Sequence, residues 1–175
     1  VDLLWLRQQG HLVAGVELTE TACRAFFEDN RLPFRVEHVG DYVRWTGEGE
    51  ADGIVLLQGD FFSLPADILG PVDALYDRAS LIALPPAMRT RHCAQLTALL
   101  PAGARGLLVT IAYPQSEKSG PPFSVPTAEV SKRLEPAFSV ESLHSVDLLA
   151  APGADNRWGL SALSEVVHGL TRRAD

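Results

Sequence analysis

The sequence predicts an α/β fold: a mostly parallel sheet flanked by helices, with an antiparallel hairpin at its C-terminal edge. Two observations predict it. Short apolar runs of strand length alternate with segments whose apolar residues recur at helical spacing. Near the C-terminus the alternation stops, and two strand-like runs follow each other with no helix between them. A chain of 175 residues, 46% hydrophobic and 21% charged, has the make-up of an ordinary globular protein and is long enough for one domain with one sizeable core, expected over residues 1–175.

The elements follow in order. Residues 1–9 (VDLLWLRQQ) read as a helix stopped by Gly10. Residues 11–17 (HLVAGVE) are a short Val-containing run, a buried strand ending on an acid. Thr19 is an N-cap candidate, with Glu20 in the first turn and Ala22, Cys23, Phe26 and Phe27 at helical spacing, so a helix runs to about Asn30. Residues 34–39, 41–45 and 53–58 are candidate strands, the last two joined by an exposed turn at 46–52 (TGEGEAD). Residues 61–68 form a loop around Pro65, and 71–77 (PVDALYD) is a strand that again ends on an acid. Pro85 and Pro86 open a helix with Met88, Cys93, Leu96, Leu99 and Leu100 toward the core and Arg89, Arg91 and Gln95 outward, ended by Pro101 and Gly103. Residues 104–113 (ARGLLVTIAY) read as a central strand. Residues 114–126 are too long to be only a connector. Thr127 is placed to cap a helix through Leu134. Residues 139–149 and 157–170 are the two final strands, joined by the turn-rich segment 150–156 (AAPGADN).

The balance of 15 Lys and Arg against 22 Asp and Glu gives a formal charge of -7, a field that repels phosphate backbones and disfavours nucleic acid as a partner. No apolar run approaches the roughly 20 residues needed to span a bilayer. The two cysteines, Cys23 and Cys93, suit a reducing compartment, which predicts a cytoplasmic location, and each reads as a small core residue. His11, His38, His92, His144 and His168 show no metal-binding spacing, so no metal is expected. Neither G-x-S-x-G nor G-x-x-x-x-G-K-[ST] occurs, which removes the usual hydrolase nucleophile and phosphate cradle. Trp5, Trp45 and Trp158 read as packing residues.

The chemistry falls at strand ends, because open α/β sheets bind ligands beyond the carboxyl ends of their strands. Glu17 occupies one such end. It suits an acceptor for the ribose hydroxyls of a nucleotide cofactor, and equally suits the start of the helix that follows it. In dinucleotide sites the acid lies about 20 residues after a glycine-rich turn, which places that turn before Val1. Asp60 with Phe61, in GDFFSLP, suits the adenine side of a cofactor, or an Asx turn beside a core Phe. Arg78 follows Asp77 at a third strand end. It is either an anion-binding residue or half of a surface ion pair. Glu17, Asp60 and Arg78 are expected to face one cleft.

Several stretches together resemble the thiopurine S-methyltransferase family: GHLVAGVELTETACRAFF (10–27), GDFFSLP (59–65), YDRASLIALPP (76–86), GPPFSVPTAEV (120–130), then VDLL (146–149) and RWGL (157–160). Their order and spacing cover nearly the whole chain, and GPPF-x-VP before a helix is the most specific of them. The resemblance implies a Rossmann-like class I S-adenosylmethionine-dependent methyltransferase fold. It implies methyl transfer to aromatic or heterocyclic thiols such as thiopurines, with selenium and tellurium species as further acceptors. By motif matching, Glu17 and the adjoining Leu18 would bind the cofactor ribose. Asp60 and Phe61 would lie on its adenine side, and Arg78 at the junction of cofactor and thiol, as the catalytic residue. Tyr113, Pro122 and Phe123 would wall the substrate pocket, with Arg157 as a further substrate contact. The family pattern also has a strand and a glycine-containing loop before the helix at 1–9, and an aromatic-rich lid before those. The expectation is therefore a chain clipped at its N-terminus, whose missing strand would lie between those at 12–17 and 72–76. The implied partner is a small-molecule thiol, with no nucleic acid, no membrane and a monomeric enzyme. Two rival readings are a nicotinamide-dependent oxidoreductase, whose ribose Glu17 would serve equally, and a non-catalytic methyltransferase relic.

Overall fold

The computed structural model describes residues 2–150 and 153–174, so residues 151 and 152 of the turn-rich segment lie outside the described residues. The chain forms two units, Val1–Pro71 and Val72–Asp175.

In the first unit, helix α1 (Asp2–Gln8) leads into strand β1 (Val13–Glu17), and helix α2 (Glu20–Asp29) into the strands β2 (Phe34–Val39), β3 (Tyr42–Gly47) and β4 (Ile54–Gln58). The sheet order is β1-β4-β3-β2. β1 pairs with β4 in parallel, while β2–β3 and β3–β4 are antiparallel. The tight turns between β2, β3 and β4 leave no room for crossover helices, and a parallel return needs about a dozen residues or more. The segment 46–52 is not simply an exposed turn. β3 runs on to Gly47, a 3-10 helix covers Gly49–Ala51, and Ala51 is buried. The core gathers Cys23, Phe27, Trp45, Ile54 and Leu56, with Leu3, Leu4 and Phe34 packed on it. Phe34 stacks on Phe27 at 4.9 Å and lies 5.3 Å from Trp45, spacings at which aromatic pairs add to simple area burial. Trp45 is thus the packing residue the sequence predicts. Trp5 and Trp158, at 56% and 40% exposed, are not.

The second unit has the strands β5 (Ala74–Asp77), β6 (Arg105–Ala112), β7 (Phe138–Asp147) and β8 (Ser164–Arg172), in the order β5-β6-β8-β7. β5 and β6 are parallel, and β8 runs antiparallel to both β6 and β7. The expected C-terminal hairpin is therefore present, although its second strand begins at Ser164 rather than at Arg157. β1 and β5 are each an edge strand of their own sheet.

The helices of this unit are α4 (Ser80–Ala83), α5 (Pro86–Leu99) and α6 (Thr127–Leu134); the short α3 (Ala66–Leu69) belongs to the first unit. Neither α3 nor α4 was visible in the pattern, because each is a single turn. α6 starts one residue earlier than a Thr127 cap allows: Pro126 is the N-cap and Thr127 the first helical residue. α5 corrects one assignment. Arg89, read as outward-facing, is 1% exposed. It shares the inner face with His92, Cys93, Leu96 and Leu99, at the i, i+3, i+4, i+7 spacing of a helix stripe.

His168, on β8, is fully buried, with its Nε2 3.1 Å from Thr110 Oγ1 and its Nδ1 without a hydrogen bond. Burial pushes its imidazole pKa below the ordinary value. The unfolded chain, with a pKa near 6.5, therefore takes up a proton that the folded chain refuses. The stability that follows is complete above about pH 6.5 and is lost as pH falls below it, by at most about 1.4 kcal/mol per pH unit. Urea unfolding between pH 7.5 and 5.5 should show a shallower pH slope for His168→Asn than for the native chain. Equal slopes would mean that the folded protein protonates His168 freely.

Candidate functional site

The parallel register of β1 and β4 opposes Glu17 to Gln58. The Gly59 amide then donates to the Glu17 carbonyl at 2.9 Å, so the two chains leave the sheet together and Glu17 and Asp60 lie at the same carboxyl edge. The Glu17 carboxylate is oriented from one side only. Its Oε1 accepts from both the amide and the hydroxyl of Thr19, each at 2.9 Å. The Thr19 hydroxyl in turn accepts from the Ala22 amide at 3.3 Å, capping α2. Oε2 receives no hydrogen bond from the described residues. Glu17 thus serves the helix start through Thr19 while leaving one carboxylate oxygen for a ligand. Leu18 beside it is 68% exposed.

Asp60 forms the Asx turn that its sequence suggested: Oδ1 accepts from the Phe62 amide at 2.9 Å and caps the 3-10 helix Phe61–Ser63. The Tyr42 hydroxyl donates to the Asp60 carbonyl at 2.7 Å and lies 3.1 Å from Ser63 Oγ. The Tyr42 ring occupies the space that a Cβ at residue 59 would need, which is why the turn begins with Gly59. Phe61 is half-buried rather than a core residue and meets Phe62 edge-on at 5.8 Å.

Glu17, Leu18, Asp60 and Phe61 belong to the first unit. Arg78, Tyr113, Pro122, Phe123 and Arg157 belong to the second. Arg78 is exposed just beyond β5. Asp77 is 4% exposed, with Oδ1 accepting from the Ser80 amide at 3.0 Å and Oδ2 3.1 Å from His92 Nε2. The carboxylate of Asp77 is therefore turned inward, and the surface Asp77–Arg78 pair is not the arrangement found.

Tyr113 closes β6 and holds the loop 114–126. Its hydroxyl donates to the Pro122 carbonyl at 2.7 Å, and its amide donates to Ser124 Oγ at 3.0 Å. The Ser124 amide donates to Gln115 Oε1 at 2.9 Å, and the Phe123 amide to the Ile82 carbonyl at 2.7 Å. The Phe123 ring folds over Gly120, whose φ of +81° and lack of a Cβ allow the approach.

Behind this loop lies a buried cluster that the sequence did not reveal. Arg89 donates from NH1 to both oxygens of Glu129 at 2.9 Å and, at 3.4 Å, to the Ser124 carbonyl. Its Nε donates to the Leu84 carbonyl at 3.0 Å. Its guanidinium carbon lies 5.6 Å from the centre of the Phe123 ring. Burial alone would raise the Glu129 carboxyl pKa, and the Arg89 and Arg133 guanidiniums outweigh it and hold it below the usual range. The signal for Arg89 was its place on the Cys93–Leu96 stripe of α5.

Arg157 engages Asp155 through Nε at 2.6 Å and also through NH2, and both side chains are largely exposed. Glu117 accepts from the Ser161 hydroxyl and amide at 2.5 and 2.8 Å, which ties the start of the loop to the segment after Trp158. Cys23 and Cys93 are free and buried, and burial pushes both thiols up to about 11. Neither is a nucleophile at neutral pH.

Solved structures with this fold define the class. A SAM-dependent methyltransferase from Anabaena variabilis superposes with a TM-score of 0.64 at 13% identity, covering 98% of this chain and 72% of that one. The 1,6-didemethyltoxoflavin-N1-methyltransferase of Burkholderia thailandensis, solved with bound S-adenosylhomocysteine, gives 0.59 at 17% identity, covering 99% and 66%. The fold is that of the class I methyltransferases. The sequence profile of the thiopurine S-methyltransferase family matches residues 1–173. The thiopurine S-methyltransferase of Pseudomonas paraeruginosa strain PA7 is 46% identical over 172 residues, 98% of this chain and 77% of that protein. Its counterpart in Shewanella sp. strain ANA-3 is 42% identical over 173 residues, 99% and 78% respectively. The chain belongs to the thiopurine S-methyltransferase family and is an S-adenosylmethionine-dependent methyltransferase.

Replacing Thr19 by Ala removes the α2 cap and the hydroxyl bond to Glu17, and leaves the bond from the residue 19 amide in place. Caps of this kind are worth about 0.5–2 kcal/mol, so urea unfolding of Thr19→Ala should show a loss in that range. An unchanged midpoint would mean that the cap and the hydroxyl bond to Glu17 contribute nothing to the fold.

Proposed function

We propose that the protein transfers the methyl group of S-adenosylmethionine to the sulfur of aromatic or heterocyclic thiols, thiopurines among them, with selenium and tellurium species as further acceptors. The observation that carries the acceptor class is the loop after Tyr113. The buried Tyr113 bonds the Pro122 carbonyl next to Phe123, and hydrogen bonds pin the loop, so Pro122 and Phe123, backed by Tyr113, would form an apolar, partly aromatic wall. Such a surface suits a flat ring better than a charged or flexible acceptor. The names of the relatives point the same way.

The chain's residues fit the cofactor. A ribose needs acceptors for its hydroxyl donors, and Glu17 Oε2 is an unused acceptor on a carboxylate already oriented by Thr19. Glu17 would take the ribose, with Leu18 alongside, and the Asp60–Phe61 turn would take the adenine. When bound, the cofactor supplies a methyl group on a sulfonium centre and departs as a neutral thioether. The protein then needs to align and dehydrate two reactants rather than to form covalent bonds of its own. Arg78 would hold the acceptor as its thiolate, since a nearby guanidinium favours the ionised form. Thiopurine-type thiols are acidic enough to be largely anionic near neutral pH, so no strong general base is required. The thiol proton passes to solvent. A nicotinamide-dependent reading has no support from the family. The same reading makes a small thiol the enzyme's partner and the monomer its working form.

The direct experiment incubates the protein with S-adenosylmethionine and a thiopurine, a simple aromatic thiol, or the oxygen analogue of each, and measures S-adenosylhomocysteine. Turnover with the thiols alone is the expected result; turnover with the oxygen compounds alone would overturn the acceptor class. Arg78→Ala should keep its melting temperature within a few degrees of the native protein. It should lose about 1.5–3 kcal/mol, the range for hydrogen bonds to charged groups, in substrate binding or transition-state stabilisation. If it unfolds instead, Arg78 is a structural residue.

A further inference from the structure

Arg89 carries a permanent charge at 1% exposure, in a position that an apolar residue would fill without the cost of desolvating a guanidinium. Its contacts converge on the segments around the proposed acceptor wall. It bonds the Leu84 carbonyl, just before α5, and the Ser124 carbonyl within the loop. It forms the two bonds to Glu129 on α6, and Glu129 also accepts from Arg133 Nε at 2.8 Å. Arg133 reaches back to Thr90 Oγ1 at 2.7 Å and the Pro86 carbonyl at 3.4 Å, so the pair of arginines and the one acid clamp the start of α5 to α6.

The other anchors near Phe123, from Tyr113, Gln115, Ile82 and Ile111, hold backbone atoms or the Ser124 hydroxyl. Arg89 differs in also facing the Phe123 side chain. Its NH2 is buried without a hydrogen-bond acceptor, and the Phe123 ring, with its negative face, lies 5.6 Å from the guanidinium carbon. The ring lies within cation–π reach of the guanidinium. The attraction works in both directions: it also sets where the ring stands.

We propose that Arg89 is a positioning residue for the thiol acceptor. By bridging Glu129 and the Ser124 carbonyl while facing Phe123, it fixes the aromatic wall against which the acceptor ring packs. This rests on the loop being the acceptor wall. Lysine would keep the charge but lacks the planar fork and the stacking face, so Arg89→Lys is the informative change.

The test compares Arg89→Lys, Phe123→Ala and the native protein by thermal midpoint, by S-adenosylhomocysteine affinity, and by steady-state kinetics with 4-nitrothiophenol, whose thiolate is coloured. For Arg89→Lys the proposal expects KM for the thiol to rise about tenfold or more, with kcat within about threefold and cofactor affinity within about twofold. A folded Arg89→Lys with native KM overturns it. So does a joint loss of thermal midpoint, kcat and cofactor affinity, which marks a purely structural role. Phe123→Ala separates the two layers: an unchanged KM there means that the loop is not the acceptor wall, whereas a raised KM with native behaviour in Arg89→Lys means that only the role of Arg89 is wrong. If Arg89→Lys does not fold, Glu129→Gln decides. It should fold and show a raised thiol KM with native cofactor affinity; failure of both variants to fold shows a structural cluster and overturns the proposal.

Discussion

Parallel pairing places the carboxyl ends of neighbouring strands on one edge of a sheet, and the proposed cofactor side of this protein depends on that constraint. β1 and β4 are in register from Val13–Ile54 to Glu17–Gln58. The last rung is followed by the bond from the Gly59 amide to the Glu17 carbonyl. A slip of one residue would reverse the faces of Val16 and Glu17 and carry the carboxylate away from Thr19. The Thr19 hydroxyl then converts position into orientation, because it donates to Glu17 while accepting from α2. One side chain thus ends a strand, starts a helix and leaves a carboxylate oxygen open. Tyr42 does comparable work on the neighbouring turn, with its ring against Gly59 and its hydroxyl on the Asp60 carbonyl.

The second unit is organised by charge inside rather than by charge at an edge. Arg89 and the Asp77–His92 pair sit on or against the inner stripe of α5, among Cys93, Leu96 and Leu99. Taking an ion out of water costs several kcal/mol even after relaxation, and the cost is offset only when partners satisfy it with good geometry. Arg89 has such partners in Glu129 and two carbonyls. Asp77 has them in His92 and the Ser80 amide. These buried pairs adjoin the two segments that carry the proposed chemistry, the turn presenting Arg78 and the loop presenting Phe123. An apolar core would hold the helices equally well. Directional bonds fix a loop and a turn in one arrangement.

Much of this was legible in the sequence where one physical signal dominated. The acid at the end of HLVAGVE, the Thr19 cap, the proline-opened α5 and the C-terminal hairpin all follow from local rules, and the structure has each of them. Boundaries failed where two signals competed. Thr127 is a good capping residue, but Pro126 before it has the fixed φ that an N-cap position accepts, and the helix starts there. Arg89 was placed outside because its charge outweighed its spacing in the reading. The spacing was right, since Glu129, 40 residues on, supplies the counter-charge, and no local pattern can announce a partner that distant. The sequence left open whether Asp77 pairs with its neighbour Arg78; its carboxylate meets His92, 15 residues on, which no local pattern announces either. The antiparallel run from β2 to β4 was visible as strands but not as a topology, because pairing direction is set by turns whose geometry the composition only hints at.

The central claim is that Glu17 binds the cofactor through the ribose hydroxyls. It is tested by measuring calorimetrically the affinities of the native protein and Glu17→Gln for S-adenosylhomocysteine and for its 2′-deoxy and 3′-deoxy analogues. A hydroxyl bonded to a carboxylate is worth about 1.5–3 kcal/mol, so the native protein should lose roughly that much when either hydroxyl is removed, and Glu17→Gln should lose clearly less. An equal loss in both proteins would contradict the account, because the hydroxyls would then be read by some other group and Glu17 would be left with its part in starting α2.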